Sequence, residues 1–445
     1  MSTPQSSLKK QVGLASVVSL GLGTAVGVSI FSVAAPATAV AGPAMLASVA
    51  IAAVPMFVIA VGYAFLGSAA PTSGASYEWP RRYIHPAVGF MVAWLRLIGS
   101  LGALIILAFV LVNYLSLLVP LPTKPAMLGV FLIIFALNIL GVGVAARAQT
   151  ILIAVLVLVL IGFAVIGAAS IDASAFTPFL PNGWGGAIAA LPLLIGLFFG
   201  IEAATEVGEE VSGGRWVIPA GIALSIVIAA ALYLLVNTVV LGVLGPEQLA
   251  ASDAPLLDAA GVFLGDWGAY AMVAAAVAAI GTSLNALFLI FSRTLLAMGR
   301  SGVLPRALAT IERDSGTPRV ALVVVLGLCI LGLLAPMNLT ALFLAVSIPT
   351  LLKYASTCTS AAIVALRHPE VYDKASFRFG RQITAVWCGL GAIGAVVVAA
   401  VGWTADWTPY AALGAWGLIG VAYYVIRSFV GGGAPQEPRS NPADS

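Results

Sequence analysis

Apolar stretches long enough to cross a bilayer recur along the whole chain. A helix of about 20 apolar residues spans the hydrocarbon core. Only 8% of the residues here are charged, whereas a soluble domain carries roughly 25%. The chain is therefore predicted to be an all-α membrane protein without a soluble domain of useful size. Charges and Pro or Gly breaks delimit about twelve transmembrane helices, at approximately 13–35, 42–69, 88–119, 126–145, 149–170, 187–211, 218–245, 265–298, 320–337, 340–366, 383–403 and 408–428.

Basic residues predict how these spans are oriented. Lys and Arg are concentrated in the N-terminal segment (1–12), in alternate loops and near the C-terminus, whereas residues 216–292 contain neither. Because cytoplasmic loops carry an excess of Lys and Arg, both termini are predicted to be cytoplasmic in a multi-pass protein of the plasma (inner) membrane. The Gly-, Pro- and Ser-rich tail at 429–445 is predicted to be disordered and cytoplasmic.

Span one contains glycines and hydroxyls that a lipid-buried helix does not need, between Gly21 and Phe31. Glycine loosens a helix, and an opened turn leaves N–H and C=O groups that hydrocarbon cannot satisfy. A broken helix at the membrane midplane therefore predicts a binding site, where half-helix ends and bare amides hold a small charged solute. The candidate substrate-binding residues of this break are Val26, Gly27, Val28, Ser29 and Ile30.

A second break is predicted in span six, between Gly196 and Glu202. Interrupted helices five spans apart are typical of an inverted repeat with its site between them. Close packing through small residues is the alternative explanation of either glycine cluster. Polar residues at both breaks favour the site, and its candidate residues here are Phe198, Phe199, Gly200, Ile201 and Glu202. The repeat interpretation predicts helices 1–5 at 13–170, helices 6–10 at 187–366 and two appended helices at 383–428.

Four groups of residues match the motifs of a known family. They are Gly27-Val28-Ser29-Ile30-Phe31; Pro71-Thr72-Ser73-Gly74-Ala75-Ser76-Tyr77 with Gly89-Phe90 and Trp94; Phe199-Gly200-Ile201-Glu202 with Glu209-Glu210; and Asn285, Ser292-Arg293, Ala297-Met298, Gly302, Leu304-Pro305 and Gly316-Thr317-Pro318. In this order and spacing, over most of the chain, the sequence resembles the amino acid–polyamine–organocation superfamily of secondary transporters, of the bacterial amino acid permease type.

The resemblance implies a five-plus-five inverted-repeat (LeuT-like) fold with broken helices 1 and 6, alternating access, and a substrate held between the breaks. Two departures bear on the substrate and the ion. Ser29 stands where the family usually has glycine, so its hydroxyl and Cβ narrow the opened turn. Some proton-coupled members carry a lysine inside span five, where this chain has Leu156 and no lysine. A built-in lysine in place of sodium is therefore not supported.

Charged side chains at membrane depth are costly and mark functional sites. Glu202, which follows Gly200 in the second break, is the clearest case. It could carry a proton, pair with a substrate ammonium, or be a structural carboxylate bonded to freed amides. Lys353 in span ten could pair with Glu202, lie in an aqueous cavity or meet a substrate carboxylate. Arg96, nearer the cytoplasmic end of span three, is expected to snorkel toward water.

Three further acids come after Glu202 at helical offsets, namely Glu206, Glu209 and Glu210. A helix would place them near one face, where an exit path for protons or cations is one interpretation. The interpretation favoured for Glu209 and Glu210 is that they end the helix in water near Arg215.

Hydroxyl and aromatic side chains complete the candidate site. Thr282 and Ser283 in span eight could offer oxygens to a sodium ion, although hydroxyls more commonly bond their own helix backbone. Phe198 and Phe199 could close over a substrate as a gate, or could simply pack.

The function favoured by these patterns is secondary active transport of an amino acid or related organic amine, coupled to protons rather than sodium, with exchange as the next possibility. An amine or polyamine transporter is the main alternative, because such a substrate would need Glu202 but not the amides of span one. A channel is less favoured, since no repeated filter motif or charge ring is present. An enzyme is not expected, because no nucleophile, base or metal constellation exists. No cofactor, metal or nucleic acid partner is predicted, and the oligomeric state stays open.

Overall fold

The computed structural model describes residues 8–27, 29–313, 315–334, 339–405 and 408–430. Within these ranges the chain is helical, and pairing of β type is limited to two isolated bridges, Val12 with Val211 and Ser73 with Val207. Val28 of the predicted site and the predicted tail beyond residue 430 lie outside the described residues.

Long α-helices account for most of the described chain, joined by short 3-10 turns. In chain order the α-helices are α1 (Leu14–Ala25), α2 (Ser29–Ser32), α3 (Ala34–Ala41), α4 (Met45–Ala69), α5 (Ala75–Tyr83), α6 (Pro86–Ser116), α7 (Thr123–Ile139), α8 (Val142–Gly167), α9 (Gly183–Ala189), α10 (Leu191–Ile195), α11 (Val217–Ala251), α12 (Pro255–Leu264), α13 (Trp267–Arg300), α14 (Arg319–Leu334), α15 (Leu339–Arg367), α16 (Pro369–Tyr372), α17 (Arg381–Ala405) and α18 (Thr408–Val430). The 3-10 turns are Gly42–Ala44, Ala168–Ser170, Ala173–Phe176, Gly196–Phe198, Ala203–Glu206, Gly208–Glu210 and Arg306–Ala309.

Helices long and apolar enough to cross a membrane confirm a multi-pass membrane protein. Within the described residues there are seven of them, and four apolar helices are shorter. The seven are Ala34–Ala69, Pro86–Ser116, Val142–Ser170, Val217–Ala251, Trp267–Arg300, Arg381–Ala400 and Tyr410–Arg427. The shorter ones are Leu14–Ala25, Thr123–Ile139, Pro255–Leu264 and Arg319–Leu334. The count of twelve spans stays a prediction.

Helix α13 lies at the centre of the bundle. Within its most apolar stretch, 83% of the residues are buried, against 17% for α18. It packs against α1, α6, α7 and α8, while α15 packs against α6 and α17. Leucines and isoleucines on the outer helices, such as Leu158 and Leu418, are exposed. Such apolar outer faces suit contact with lipid, so the inner helices are the ones placed to form a site.

Glycine geometry explains one difference from the predicted spans. Residues 126–145 and 149–170 were the expected fourth and fifth spans, but α7 ends at Ile139 and α8 begins at Val142. Gly141 between them has a φ of +119°, which L side chains rarely adopt. The turn therefore falls at this glycine, and the apolar residues after it belong to the next helix.

The break predicted in span one is confirmed, since α1 ends at Ala25 and helix resumes at Ser29. The second predicted break is also present, but the segment beyond it differs from the predicted span. After Phe199–Glu202 the chain continues as two 3-10 turns rather than as an α-helix. Residues 8–12 pack beside them, where the amides of Gln11 and Val12 both donate to the Glu210 carbonyl at 3.0 Å.

Candidate functional site

A cavity of about 200 Å³ lies between the two breaks. It brings together seven predicted residues from four parts of the sequence, namely Gly27, Ser29, Phe199, Gly200, Glu202, Ser283 and Lys353. The other lining residues are Thr24, Arg96, Ala103, Ile106, Leu107, Glu206, Leu287, Ile290, Val346 and Thr350. The mixture of apolar walls and a few convergent polar groups is typical of small-molecule sites.

Hydroxyl groups from neighbouring helices satisfy the carbonyls freed in span one. Ser283 donates to the Gly23 carbonyl at 2.5 Å, and Tyr233 donates to the Ala25 carbonyl at 2.8 Å. Thr24 donates across to the Gly200 carbonyl at 2.5 Å, which joins the two breaks directly. These bonds stabilise the open turn, because buried backbone groups without partners are costly.

Several predicted residues lie beside the cavity without lining it. Val26, Ile30, Phe198 and Ile201 are each at most 2% exposed and belong to the apolar core. Phe198 packs edge-on against the Tyr233 ring, with centroids 5.8 Å apart, so it supports the break from behind. Phe199 is the aromatic residue that lines the cavity.

The hydroxyl groups of Thr282 and Ser283 donate hydrogen bonds to backbone carbonyls. Thr282 donates to the Ala279 carbonyl at 2.7 Å, within its own helix, and its Oγ1 lies 3.4 Å from the Gly23 oxygen. Ser283 Oγ also lies 3.2 Å from the Ala279 oxygen. Both hydroxyls therefore connect α13 to the break in span one.

Glu202 and Lys353 form a buried ion pair, one of the alternatives that the sequence left open. Lys353 Nζ pairs with Glu202 Oε1, and the Tyr354 hydroxyl donates to Oε2 at 2.9 Å. The Gly200 amide donates to the same tyrosine oxygen at 2.9 Å. The Lys353 ammonium also lies over the rings of Tyr354 and Tyr63, at 4.8 and 5.8 Å from their centroids. The second break is thus held by α15 through a network whose charges are compensated.

The acids after Glu202 do not lie on one helical face. Glu206 accepts from the hydroxyl and amide of Ser76 on α5. Glu210 is fully buried and binds Arg293 through two bonds of 2.7 and 2.8 Å, so the expectation that it ends a helix in water is wrong. Glu209, which is partly exposed, pairs with Arg300 at 3.0 Å. The helical offsets fail because 3-10 turns replace the helix, and each acid meets a partner distant in sequence.

Among the described residues, Arg215 pairs with none of the acids of this region, and those acids do not form a metal site. Arg215, the expected neighbour of Glu209 and Glu210, donates to the Lys374 carbonyl at 2.5 Å. Throughout the described part of the chain, no group of three or more His, Cys, Asp or Glu side chains could hold a metal ion.

Arg96 is the residue whose position differs most from expectation. Instead of snorkelling toward the end of its helix, it lines the cavity, and its Nη1 is buried. The sequence signalled only that a basic residue stands inside an apolar span.

The roles of Tyr233 and Tyr354 were not indicated by the sequence. A tyrosine in an apolar helix carries no local sign of the carbonyl or carboxylate to which its hydroxyl will donate.

Comparison with known proteins finds permeases and transporters. The family model described as amino acid permease matches residues 12–432. An uncharacterized transporter of Mycobacterium tuberculosis is 33% identical over 321 residues, covering 71% of this chain and 72% of the relative. A branched-chain amino acid permease of Bacillus subtilis is 26% identical over 341 residues, covering 71% and 73%. The methylthioribose transporter of Bacillus subtilis is 26% identical over 394 residues, covering 84% of each chain.

Proposed function

Because the chain belongs to the amino acid permease family of the amino acid–polyamine–organocation superfamily, we propose that it moves an amino acid across the plasma membrane by alternating access. The family and the relatives are transporters, not enzymes. The observation that carries the proposal is the cavity shared by both helix breaks, with the Glu202–Lys353 pair in its wall.

The proposed architecture rests on the same two breaks. Residues 13–170 and 187–366 form two repeats of opposite orientation, 383–428 add two helices, and both termini are cytoplasmic. The bond between Thr24 and the Gly200 carbonyl supports a site at the repeat interface, because it joins residues 176 positions apart.

We place the substrate carboxylate at the amides between Gly27 and Ile30 and the ammonium at the carbonyls of Phe199 and Ile201. Two observations support this division. The carbonyls of Gly23 and Ala25 already accept hydroxyl groups, so acceptors at the first break are occupied. Both oxygens of Glu202 are also engaged, and the Gly200 carbonyl accepts from Thr24 and from the Ala203 amide. The carbonyls of Phe199 and Ile201 therefore remain to meet an ammonium.

Proton coupling is proposed to act through Glu202. A proton that neutralises Glu202 removes the attraction for Lys353, and this links protonation to the position of the second break. Sodium coupling is less supported. Ser283 Oγ and the Gly23 oxygen are in direct hydrogen-bond contact at 2.5 Å, and an ion bound by both would have to separate them.

Uptake of labelled amino acids into proteoliposomes with imposed pH or sodium gradients tests the proposal. Glu202→Gln is expected to abolish transport or to uncouple it from the pH gradient. Glu247→Gln is the matched control, because Glu247 is exposed and far from the cavity. Wild-type rates and pH dependence in Glu202→Gln would remove this residue from the mechanism. No uptake, exchange or binding of any amino acid or amine would overturn the proposed function.

A carboxylate-free amine is the rival substrate class. Such a ligand would leave the amides of span one idle and would have to displace Lys353 from Glu202. Competition between an amino acid and its decarboxylated amine separates the two classes, with the amino acid expected to bind better. Vesicles preloaded with unlabelled substrate distinguish exchange from net uptake in the same assay.

A further inference from the structure

Arg96 presents to the cavity a guanidinium that has no direct partner. It extends from α6, and its Nη1 is buried from solvent without a hydrogen-bond partner. Within the described ranges, its side chain makes neither an ion pair nor a hydrogen bond. Arg96 as a whole is partly buried, and leaving its buried nitrogen without a partner is costly. The basic residues Lys353, Arg293 and Arg300, by contrast, each bind a carboxylate.

The carboxylates that share the cavity with Arg96 are already engaged. Glu202 accepts from Lys353 and Tyr354, and Glu206 accepts from both the hydroxyl and the amide of Ser76. Neither acid contacts the Arg96 guanidinium. A direct anionic partner for Arg96 must therefore come from the contents of the cavity.

We propose that Arg96 binds a second, side-chain carboxylate of the substrate, so that the transporter accepts acidic amino acids. This inference rests on the proposed function, in which the α-carboxylate binds at the first break. A guanidinium presents a fork of donors that matches a carboxylate in two parallel bonds, and it stays charged throughout the transport cycle. The substrate class is then an amino acid with an anionic side chain.

The length of the cavity favours the longer acidic side chains. Arg96 and Ala103 both line it from α6, and seven residues of helix correspond to a rise of about 10 Å. The rings of Phe31, just after the first break, and Tyr114 on α6 lie 5.3 Å apart, so the first break lies toward the Ala103 end of this stretch. The arginine side chain bridges part of the separation, and the substrate must span the rest. Glutamate and 2-aminoadipate are therefore expected to bind better than aspartate.

Charge balance agrees with proton coupling. The cavity wall contains Arg96 and Lys353 as cations and Glu202 and Glu206 as anions. An acidic amino acid adds one net negative charge, which a proton on Glu202 would neutralise. If the anionic substrate enters together with one proton, the filled cavity has the same net charge as the empty cavity.

Ligand-induced thermal stabilisation and competition for uptake test the inference with two isosteric pairs, glutamate with glutamine and aspartate with asparagine, plus 2-aminoadipate. The wild-type protein is expected to prefer glutamate over glutamine. Arg96→Gln should weaken glutamate roughly 10- to 100-fold, as expected for the loss of hydrogen bonds to a charged group, and glutamine little. Arg147→Gln is the matched control, because Arg147 is exposed on α8.

The possible outcomes separate this inference from the proposed function. Binding of neutral amino acids with rejection of acidic ones by the wild type would overturn the role of Arg96 and leave amino acid transport intact. An equal loss of glutamate and glutamine in Arg96→Gln would overturn it too. Failure of the wild type to bind any amino acid would overturn the proposed function itself. If Arg96→Gln does not fold, Arg96→Lys serves instead and should reduce the preference for glutamate, because it keeps the charge but loses the fork.

Discussion

Two glycines of the second break have very different surroundings. Gly200 has a φ of +97°, and a Cβ at this position would lie 2.6 Å from the Thr24 Cβ. Gly196, one turn earlier, has open space where its Cβ would be. Gly200 is therefore required both by its backbone conformation and by the close approach of α1, whereas Gly196 is not.

Gly200→Ala is expected to abolish transport and to lower the melting temperature. The strained conformation costs about 1–2 kcal/mol, and overpacking against Thr24 adds about 1–3 kcal/mol. Gly196→Ala should keep transport within about twofold, because nothing opposes the added methyl group. Proteoliposome uptake and thermal unfolding of both variants provide the measurement. Similar behaviour of the two alanine variants would contradict this explanation of the break.

At Ser29 the sequence predicted the effect of the side chain on the break but not its hydrogen bond. Its replacement of the family's usual glycine predicts a narrower turn, and Ser29 does line the cavity. Its hydroxyl, however, donates to the Ala25 carbonyl at 3.2 Å, beside the Tyr233 hydroxyl that bonds to the same oxygen. The sequence marked the residue but could not assign this bond, because Tyr233 is distant in the chain and its orientation depends on how α11 packs against α1.

The acidic segment after the second break is an element held by ion pairs rather than by helical hydrogen bonds. Glu210 and Arg293 have side chains that are 0% and 1% exposed, whereas those of Glu209 and Arg300 are 32% and 34% exposed. Adjacent acids of the same segment therefore make one buried and one half-exposed pair with α13. They offer a comparison of two carboxylates that each bind an arginine of α13 but differ in exposure, with Glu209 also accepting from the Ser73 amide.

Glu210→Gln is expected to destabilise the protein far more than Glu209→Gln. Removing one partner of a buried pair costs about 3–5 kcal/mol, because the remaining charge stays buried. An exposed pair contributes about 0–1 kcal/mol. The two variants are heated in detergent, and the fraction of protein that stays monodisperse is measured at each temperature. The melting temperatures obtained in this way check the difference. Equal melting temperatures would show that Arg293 reaches another partner or water.

At the scale of elements, apolar length predicted a membrane protein of long apolar helices and glycine clusters predicted both breaks, because these features depend on local composition. Three features were not predictable in this way. The 3-10 turns after Glu202 depend on bonds to α5 and α13, and the end of α7 depends on the φ of Gly141. Helix α12 is short and lies between the predicted spans 218–245 and 265–298, where no helix was predicted. Each is decided by contacts or backbone angles that a local hydrophobic pattern does not contain.

At the scale of the molecule, the two breaks meet around the central helix α13. Ser283 and Thr282 on α13 contact Gly23 of the first break, while Arg293 near its end binds Glu210 beyond the second. The N-terminal segment of residues 8–12 adds a further link, since Gln11 and Val12 donate to the Glu210 carbonyl. Because the segment after the second break is bonded to Arg293 of α13 and to the residues that precede α1, its movement would displace both helices. Such coupling suits a mechanism of alternating access.

The proposed topology can be tested with single cysteines, because the three native cysteines are all buried. Asp253 and Arg306 are exposed and flank α13, and Lys374 is exposed two apolar helices further along the chain. In intact cells a membrane-impermeant maleimide should label Asp253→Cys but neither Arg306→Cys nor Lys374→Cys, which should react only after permeabilisation. The reason is that α13 crosses once between the first two sites, whereas α14 and α15 return the chain to the same side. The unmodified protein is the control and should stay unlabelled. Labelling of Asp253→Cys and Arg306→Cys from one side would contradict a spanning α13, and a reversed pattern would invert the orientation derived from the basic loops.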